Sequence, residues 1–213
     1  MAHKRSVTIR EVAKAACVSA QTVSRVINNR PDVADDTRQR VQDIIAELGY
    51  SPNALARSLI QGRTNTLGVV GYGLSYYGPS RTLTGIERQC NELGYSMQLS
   101  LMREPDAGAG VELLNGLLER KVDGVIWAVP EIGQHRAALV EQVRSSGVPV
   151  VFINMQPNPD LSVVSIDNYT GGKQAALHLL SRGYHKVGII TGPGDWWESR
   201  RRLEGWRSAM LEA

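Results

Sequence analysis

The sequence holds only two cysteines in 213 residues, Cys17 and Cys90, and they lie far apart. Two such positions build no metal-ligand spacing and no disulfide framework. Both read as small buried residues of helical segments in a reducing compartment. Histidine is scarce as well. His3, His135, His178 and His185 form no constellation with neighbouring acids that a metal or an activated nucleophile needs. Gly71-Tyr72-Gly73 follows an apolar run but lacks the third glycine of a dinucleotide turn, and no Gly-Lys-Ser/Thr loop occurs. A nucleotide-binding or sugar-binding α/β enzyme domain without regulatory role is therefore the weaker alternative, and neither a cofactor nor a metal is expected. No apolar run approaches membrane-spanning length, and Met-Ala-His-Lys-Arg-Ser leads into no signal core. That disfavours a membrane partner or a secreted binding protein and predicts a cytoplasmic one.

What is present is unevenly spread. Residues 1–65 carry ten Lys and Arg against six Asp and Glu, a net +4, while residues 66–213 carry fourteen against fifteen, a net −1. The positive charge belongs to the N-terminal segment, as it must if that segment alone meets phosphates.

Residues 8–28 say most about chemistry. Thr8 and Glu11 form a capping box, and Ile9, Val12, Ala13 and Ala16 give the following helix an inward face. After a short turn Ser19 is placed to cap a second helix. Val23, Val26 and Ile27 lie on one side of it; Gln21, Arg25 and Asn28 lie on the other. An amide and a guanidinium along one exposed ridge suit the floor of the DNA major groove. There Arg bonds guanine O6 and N7, and Gln bonds adenine N6 and N7. A third helix is predicted after Asp35 and Asp36, with Val41, Ile44, Ile45 and Leu48 inward and Gly49 as its stop. Ser51 and Pro52 then open a short helix that is too short to be stable alone in water. Gln61–Asn65 reads as a linker.

From Thr66 the rhythm changes. Apolar runs at 67–70, 97–101, 122–128, 148–153, 163–166 and 187–190 are strand candidates. Helical patterns at 82–93, 111–120, 136–145 and 172–181 lie between most of them, and 200–212 reads as a closing helix. Alternation of this kind predicts a parallel, doubly wound sheet.

Val7–Ala13, Val18–Asn28 and Gly49–Leu59 together resemble the lac-repressor/galactose-repressor family of bacterial transcription regulators, and Ser165–Asn168 with Gly171 and Ser199–Trp206 resemble that family's effector-domain signatures. The resemblance spans the whole chain. It implies an all-α helix-turn-helix domain of three helices over 1–50 and a hinge helix with linker over 51–65. An α/β periplasmic-binding-protein-like domain with parallel sheets follows over 66–213, its first subdomain about 66–150 and a partial second about 151–213. Family members continue well past this length, so the last domain is expected to be incomplete. The implied activity is sequence-specific DNA binding, a repressor of carbohydrate-utilisation genes released by a small sugar. The implied partners are an inverted-repeat operator and a second copy of the chain.

Matched residue by residue, the family puts Ala20, Gln21 and Arg25 on base edges. It puts Thr8, Ser19, Thr22, Ser24, Asn28 and Thr37 on phosphates, with Tyr50 and Asn53 seating the domain. Ala56 and Leu59 enter the minor groove, where Leu59 wedges between base pairs. Cys17 stands where the family usually has Gly, and Ala20 is a small side chain at the first specificity position. In the effector domain Arg202 matches the family arginine that bonds sugar hydroxyls. Asn154 falls at a strand end where a family member carries a sugar-binding carboxylate. Tyr72 and Tyr76 follow the first strand on the cleft side, and Trp127 and Trp196 offer apolar walls.

Overall fold

Thr8 opens the first helix through a capping box. Its Oγ1 accepts from the Glu11 amide at 3.4 Å, and the Glu11 carboxylate accepts from the Thr8 amide at 2.7 Å. The computed structural model describes residues 7–51, 62–103, 107–131 and 136–213. The chain divides into two compact units, Met1–Gly62 and Arg63–Ala213.

In the first unit α1 (Ile9–Ala15), α2 (Ala20–Ile27) and α3 (Asp35–Leu48) enclose Val12, Ala13, Ala16, Val23, Val26 and Val41. Ser19 caps α2 by accepting from the Thr22 amide at 3.0 Å. Gly49 ends α3 in the left-handed conformation at φ 60°. Two expectations are corrected here. Cys17 is exposed: it lies outside both helices, in the turn between them, at φ 54°. Leu48, in the last helical position, is also exposed. The expected hinge helix falls on residues 52–61, so Asn53, Ala56 and Leu59 lie outside the described residues.

The second unit is built on one parallel sheet in the order β2-β1-β3-β4-β5. Its strands are β1 (Thr66–Tyr72), β2 (Ser96–Met102), β3 (Gly124–Ala128), β4 (Val150–Ile153) and β5 (Ser162–Val164). Alternate residues point to opposite faces. Val70, Val125, Trp127 and Phe152 enter one core, where α5 (Ala107–Glu119) supplies Leu114 and Leu117 and α6 (Arg136–Ser145) supplies Leu139 and Val143. Val69, Ile126 and Ile153 face the other, where α4 (Tyr77–Glu92) supplies Ile86 and Cys90. The helices thus flank both faces, as a parallel sheet requires. Two further helices, α7 (Asn168–Ser181) and α8 (Trp197–Glu212), pack on each other through close backbone contact at Gly172 and Gly205.

The expected strand at Val187–Ile190 is not one: the segment has no ladder partner among the described residues, and Ile190 is fully exposed. A strand exists only where neighbouring backbone accepts its hydrogen bonds, so an apolar run alone does not make one. The two apolar runs before it join the first sheet as β4 and β5 instead of starting another. Helices α4, α7 and α8 begin three to five residues before the apolar periodicity does. Their first turns are polar or glycine-rich, and in α4 Pro79 occupies a first-turn position where its missing N–H costs nothing.

Candidate nucleic-acid interface and ligand cleft

Burial of Val23 and Val26 fixes the rotation of α2, and the same rotation turns Gln21 and Arg25 outward. Asn28 is exposed at the helix end, and Ala20 is half-buried against the core. The polar side chains of this surface are already held. Thr8 Oγ1 and the Glu11 carboxylate lie 2.9 Å apart, and the Ser19 and Thr22 hydroxyls also lie 2.9 Å apart. The Asn28 amide nitrogen folds back onto the Ser24 carbonyl at 2.8 Å. Thr37 donates its amide to Asp36 at 2.7 Å, and Tyr50 packs half-buried on the helical core. The Arg25 guanidinium pairs with Asp32 at 3.4 Å, both side chains about half exposed. Asp32 was not singled out by the sequence; its only signal is an acid in the loop after the recognition ridge. Arg38 ties that loop down by donating to Asn29 Oδ1 at 3.1 Å and to the Arg30 carbonyl at 2.5 Å.

In the second unit a cleft of about 350 Å³ opens beyond the carboxyl ends of β1, β3 and β4. This is where the strand order reverses around β1, the usual ligand position in open α/β sheets. Tyr76, Ala128, Ile153 and Asn154 come from the sheet side, and Asn168, Trp196, Glu198 and Arg202 come from the starts of α7 and α8. The backbone at Asn154 is left-handed, φ 56°, a conformation Asn tolerates better than most residues. Arg202 donates to Asn168 Oδ1 at 2.6 Å and to Ser199 Oγ at 3.3 Å, which fixes the guanidinium at the cleft wall. Trp196 meets the rings of Tyr76 and Tyr72 edge-on, at 5.7 and 6.4 Å between centroids.

Of the six predicted ligand residues the cleft therefore gathers Tyr76, Asn154, Trp196 and Arg202, with Tyr72 behind Trp196. Trp127 is corrected. It is 5% exposed and packs into the core beside Phe152, because its place in β3 faces α5. Among the cleft residues not foreseen as ligand contacts are Asn168 and Glu198. Glu198 had a legible signal, since it stands four residues before Arg202 and so on the same helix face. Its residue is buried, and its Oε2 has no hydrogen-bond partner among the described residues. Burial pushes its carboxyl above the ordinary range, against the opposing influence of its own amide and of Arg202. Arg200 and Arg201 stay off the ligand wall: Arg200 donates to the Asp195 carbonyl at 2.7 Å, and Arg201 pairs with Glu204 and lies over the Tyr169 ring. Among the described residues no cluster of metal-binding side chains occurs, and no helix is long and apolar enough to cross a membrane.

Residues 8–53 match the model of bacterial regulatory proteins of the lacI family, and residues 67–213 match that of the periplasmic binding protein domain. The chain is 37% identical over 209 residues to the HTH-type transcriptional regulator DegA of Bacillus subtilis, covering 97% of this chain and 61% of that protein. It is 35% identical to the ribose operon repressor of Escherichia coli K12, covering 97% and 62%, and 34% identical to the repressor PurR of Haemophilus influenzae, covering 97% and 60%. The chain thus spans about three fifths of these relatives' length. Among solved structures, the lac repressor dimer bound to operator and the anti-inducer ONPF superposes with a TM-score of 0.86 at 28% identity, over 98% of this chain and 62% of that one. A complex of the transcriptional regulator CelR with cellobiose gives 0.57 at 32% identity, over 97% and 62%.

Proposed function

Because the chain belongs to the lacI family of bacterial regulatory proteins, we propose that it is a sequence-specific DNA-binding transcriptional repressor of carbohydrate-utilisation genes. A small sugar held in the second unit releases it from its operator. The observation that carries this reading is the Ser19-capped α2, whose apolar side is buried and whose Gln21 and Arg25 face outward. Lying in the major groove, that ridge gives Arg25 a guanine and Gln21 an adenine, with Ala20 small enough to let the helix approach. Thr8, Ser19, Thr22, Ser24, Asn28, Thr37 and Tyr50 hold the phosphates, and Asn53, Ala56 and Leu59 of the hinge serve the backbone and minor groove. The domain limits proposed are 1–50, 51–65 and 66–213.

Two copies of one chain read two half-sites, so the operator is an inverted repeat and the working form a homodimer. The cleft carries Arg202 and Asn154 as polar anchors and Tyr76 and Trp196 as apolar walls, a composition suited to a small neutral sugar. Its role is binding, with no catalysis and no cofactor, in the cytoplasm beside the DNA. Fluorescence anisotropy on sites recovered by selection from random duplexes tests the reading. Affinity should fall linearly with salt on logarithmic axes, and the recovered sites should be inverted repeats. Salt-independent retention, or recovered sites without symmetry, refutes it.

A further inference from the structure

The loop after α2 is tied down along its length. Asn29 turns the chain back at φ 51°, and the Arg30 amide then donates to the Arg25 carbonyl at 2.9 Å. Arg38 of α3 donates to Asn29 Oδ1 at 3.1 Å and to the Arg30 carbonyl at 2.5 Å. Pro31 fixes its own φ, and Val33 packs against the helical core. Asp32 stands between these two anchored neighbours, so its backbone has little freedom. Its Oδ2 meets Arg25 Nη1 at 3.4 Å, with the two side chains 56% and 46% exposed. A pair this open contributes little to stability. The stability of the unit therefore does not account for a carboxylate held in a fixed place beside the outward ridge of α2.

We propose that Asp32 is a positioning residue for base recognition: it steers the Arg25 guanidinium so that a matched pair of its N–H donors meets guanine O6 and N7. This rests on α2 lying in the major groove. A guanidinium carries five donors in a planar fork, two on each terminal nitrogen and one on Nε. Asp32 engages one hydrogen on Nη1. The other then remains beside one on Nη2, and a guanine accepts two such parallel donors. Without the carboxylate the long side chain swings between the base edge and the nearest phosphates, where its charge serves every sequence equally. The negative charge has a second effect in the same direction. Asp32 repels phosphates on every duplex, and only a site with guanine in place offsets that repulsion. Weaker non-specific binding and a better-aimed guanine contact both raise the ratio by which the protein tells its own site from others. Asp32 acts through Arg25 and itself touches no base.

The test is fluorescence anisotropy on the whole chain as wild type, Asp32→Asn, Arg25→Ala and the double variant. The probes are a duplex recovered by selection with wild type, its single-base-pair variants and a random duplex. The base pair whose preference Arg25→Ala relaxes is the one that Arg25 reads. At that pair Asp32→Asn should lose about three-fold or more in discrimination, because the fork is no longer aimed. Affinity for the random duplex should rise about two- to three-fold, because one repelled charge is gone. With Arg25 already replaced, Asp32→Asn should change no discrimination, since nothing is left to steer. Thermal unfolding of Asp32→Asn should stay within about 1 °C of wild type, as an open ion pair allows. An equal rise on every duplex with discrimination intact overturns the proposal and makes Asp32 a general electrostatic brake. A loss at a neighbouring base pair that persists without Arg25 also overturns it and makes Asp32 a base contact in its own right. A lower melting temperature with affinity lost equally on all probes makes Asp32 a structural residue instead. If Arg25→Ala relaxes no base pair, Arg25 reads no base and Asp32 has nothing to position. If wild type prefers no duplex over the random one, sequence-specific binding itself fails, and the role of Asp32 with it.

Discussion

Cys17 sits at φ 54° in the turn between α1 and α2, where an L-residue crowds its own carbonyl. That conformation costs about 1–2 kcal/mol for a side-chain-bearing residue, whereas Gly adopts it freely but loses about 0.5–1 kcal/mol more on folding. The difference favours glycine. Cys17→Gly should stabilise the DNA-binding unit by about 0.5–1 kcal/mol in denaturant titrations followed by circular dichroism, and a destabilised variant would contradict the strain argument. Arg25 carries a different kind of prediction. Its ion pair with Asp32 is half exposed on both sides and so contributes little, leaving the guanidinium available to a guanine. Arg25→Ala should weaken specific binding by about 1–3 kcal/mol and relax preference at one base pair per half-site. Site selection with the variant checks it, and unchanged selectivity at every position removes Arg25 from the base contacts.

Helices α7 and α8 approach so closely that two glycines have no room for a methyl group. A Cβ on Gly172 would lie 2.2 Å from the Arg202 carbonyl oxygen, and one on Gly205 would lie 2.0 Å from that of Tyr169. In an ordinary helix Gly→Ala gains about 1 kcal/mol. Here the obstacles are backbone atoms that cannot rotate away, so the helices must separate, at a cost of about 1–3 kcal/mol or more. The steric term wins. Because the obstructed carbonyl belongs to Arg202 itself, opening this crossing also moves the guanidinium off Asn168. Gly172→Ala should therefore lose protection from hydrogen exchange in α8 and weaken aldose binding together. Intact α8 protection in that variant would show that the crossing is looser than its geometry implies.

At the scale of the molecule, one carboxylate secures the segment where the second unit begins. Asp123 accepts from the Thr64 amide and hydroxyl at 2.8 and 3.0 Å and from the Asn65 amide at 2.9 Å. Burial opposes its ionisation, but these hydrogen bonds and the nearby Arg63 outweigh it and hold the carboxyl below the ordinary range. A lowered folded value means the clamp contributes fully above the unfolded value of about 3.9 and is lost as pH falls through the folded one. Asp123→Asn should cost about 1–2 kcal/mol at neutral pH, because its amide nitrogen meets a backbone donor. Denaturant midpoints of wild type and variant should then converge in acid. Glu198 works with the opposite sign. Its raised value means the unliganded chain gains stability as pH falls through it, a gain that Glu198→Gln should abolish. A constant gap between wild type and Asp123→Asn from pH 7 to pH 2 would rule out the clamp.

Sequence alone determined whatever rests on local rules. The capping box at Thr8 and Glu11, the Ser19 cap, the stop at Gly49 and the outward face of α2 were all legible, because each depends on residues within one or two turns. Alternating apolar runs likewise determined a parallel α/β unit, and the resemblance located Arg202 and Asn154 at what proved to be one cleft. Tertiary structure alone decided the rest. Whether Val187–Ile190 is a strand depends on a neighbour to pair with, which periodicity cannot supply. Trp127 and Trp196 look alike as aromatic residues, yet β3 turns one into the core while the α8 start sets the other at the cleft. Glu198 was missed for the same reason. Its local spacing suggests an ordinary ion pair with Arg202, and only the approach of Asn168 from another helix takes that arginine away.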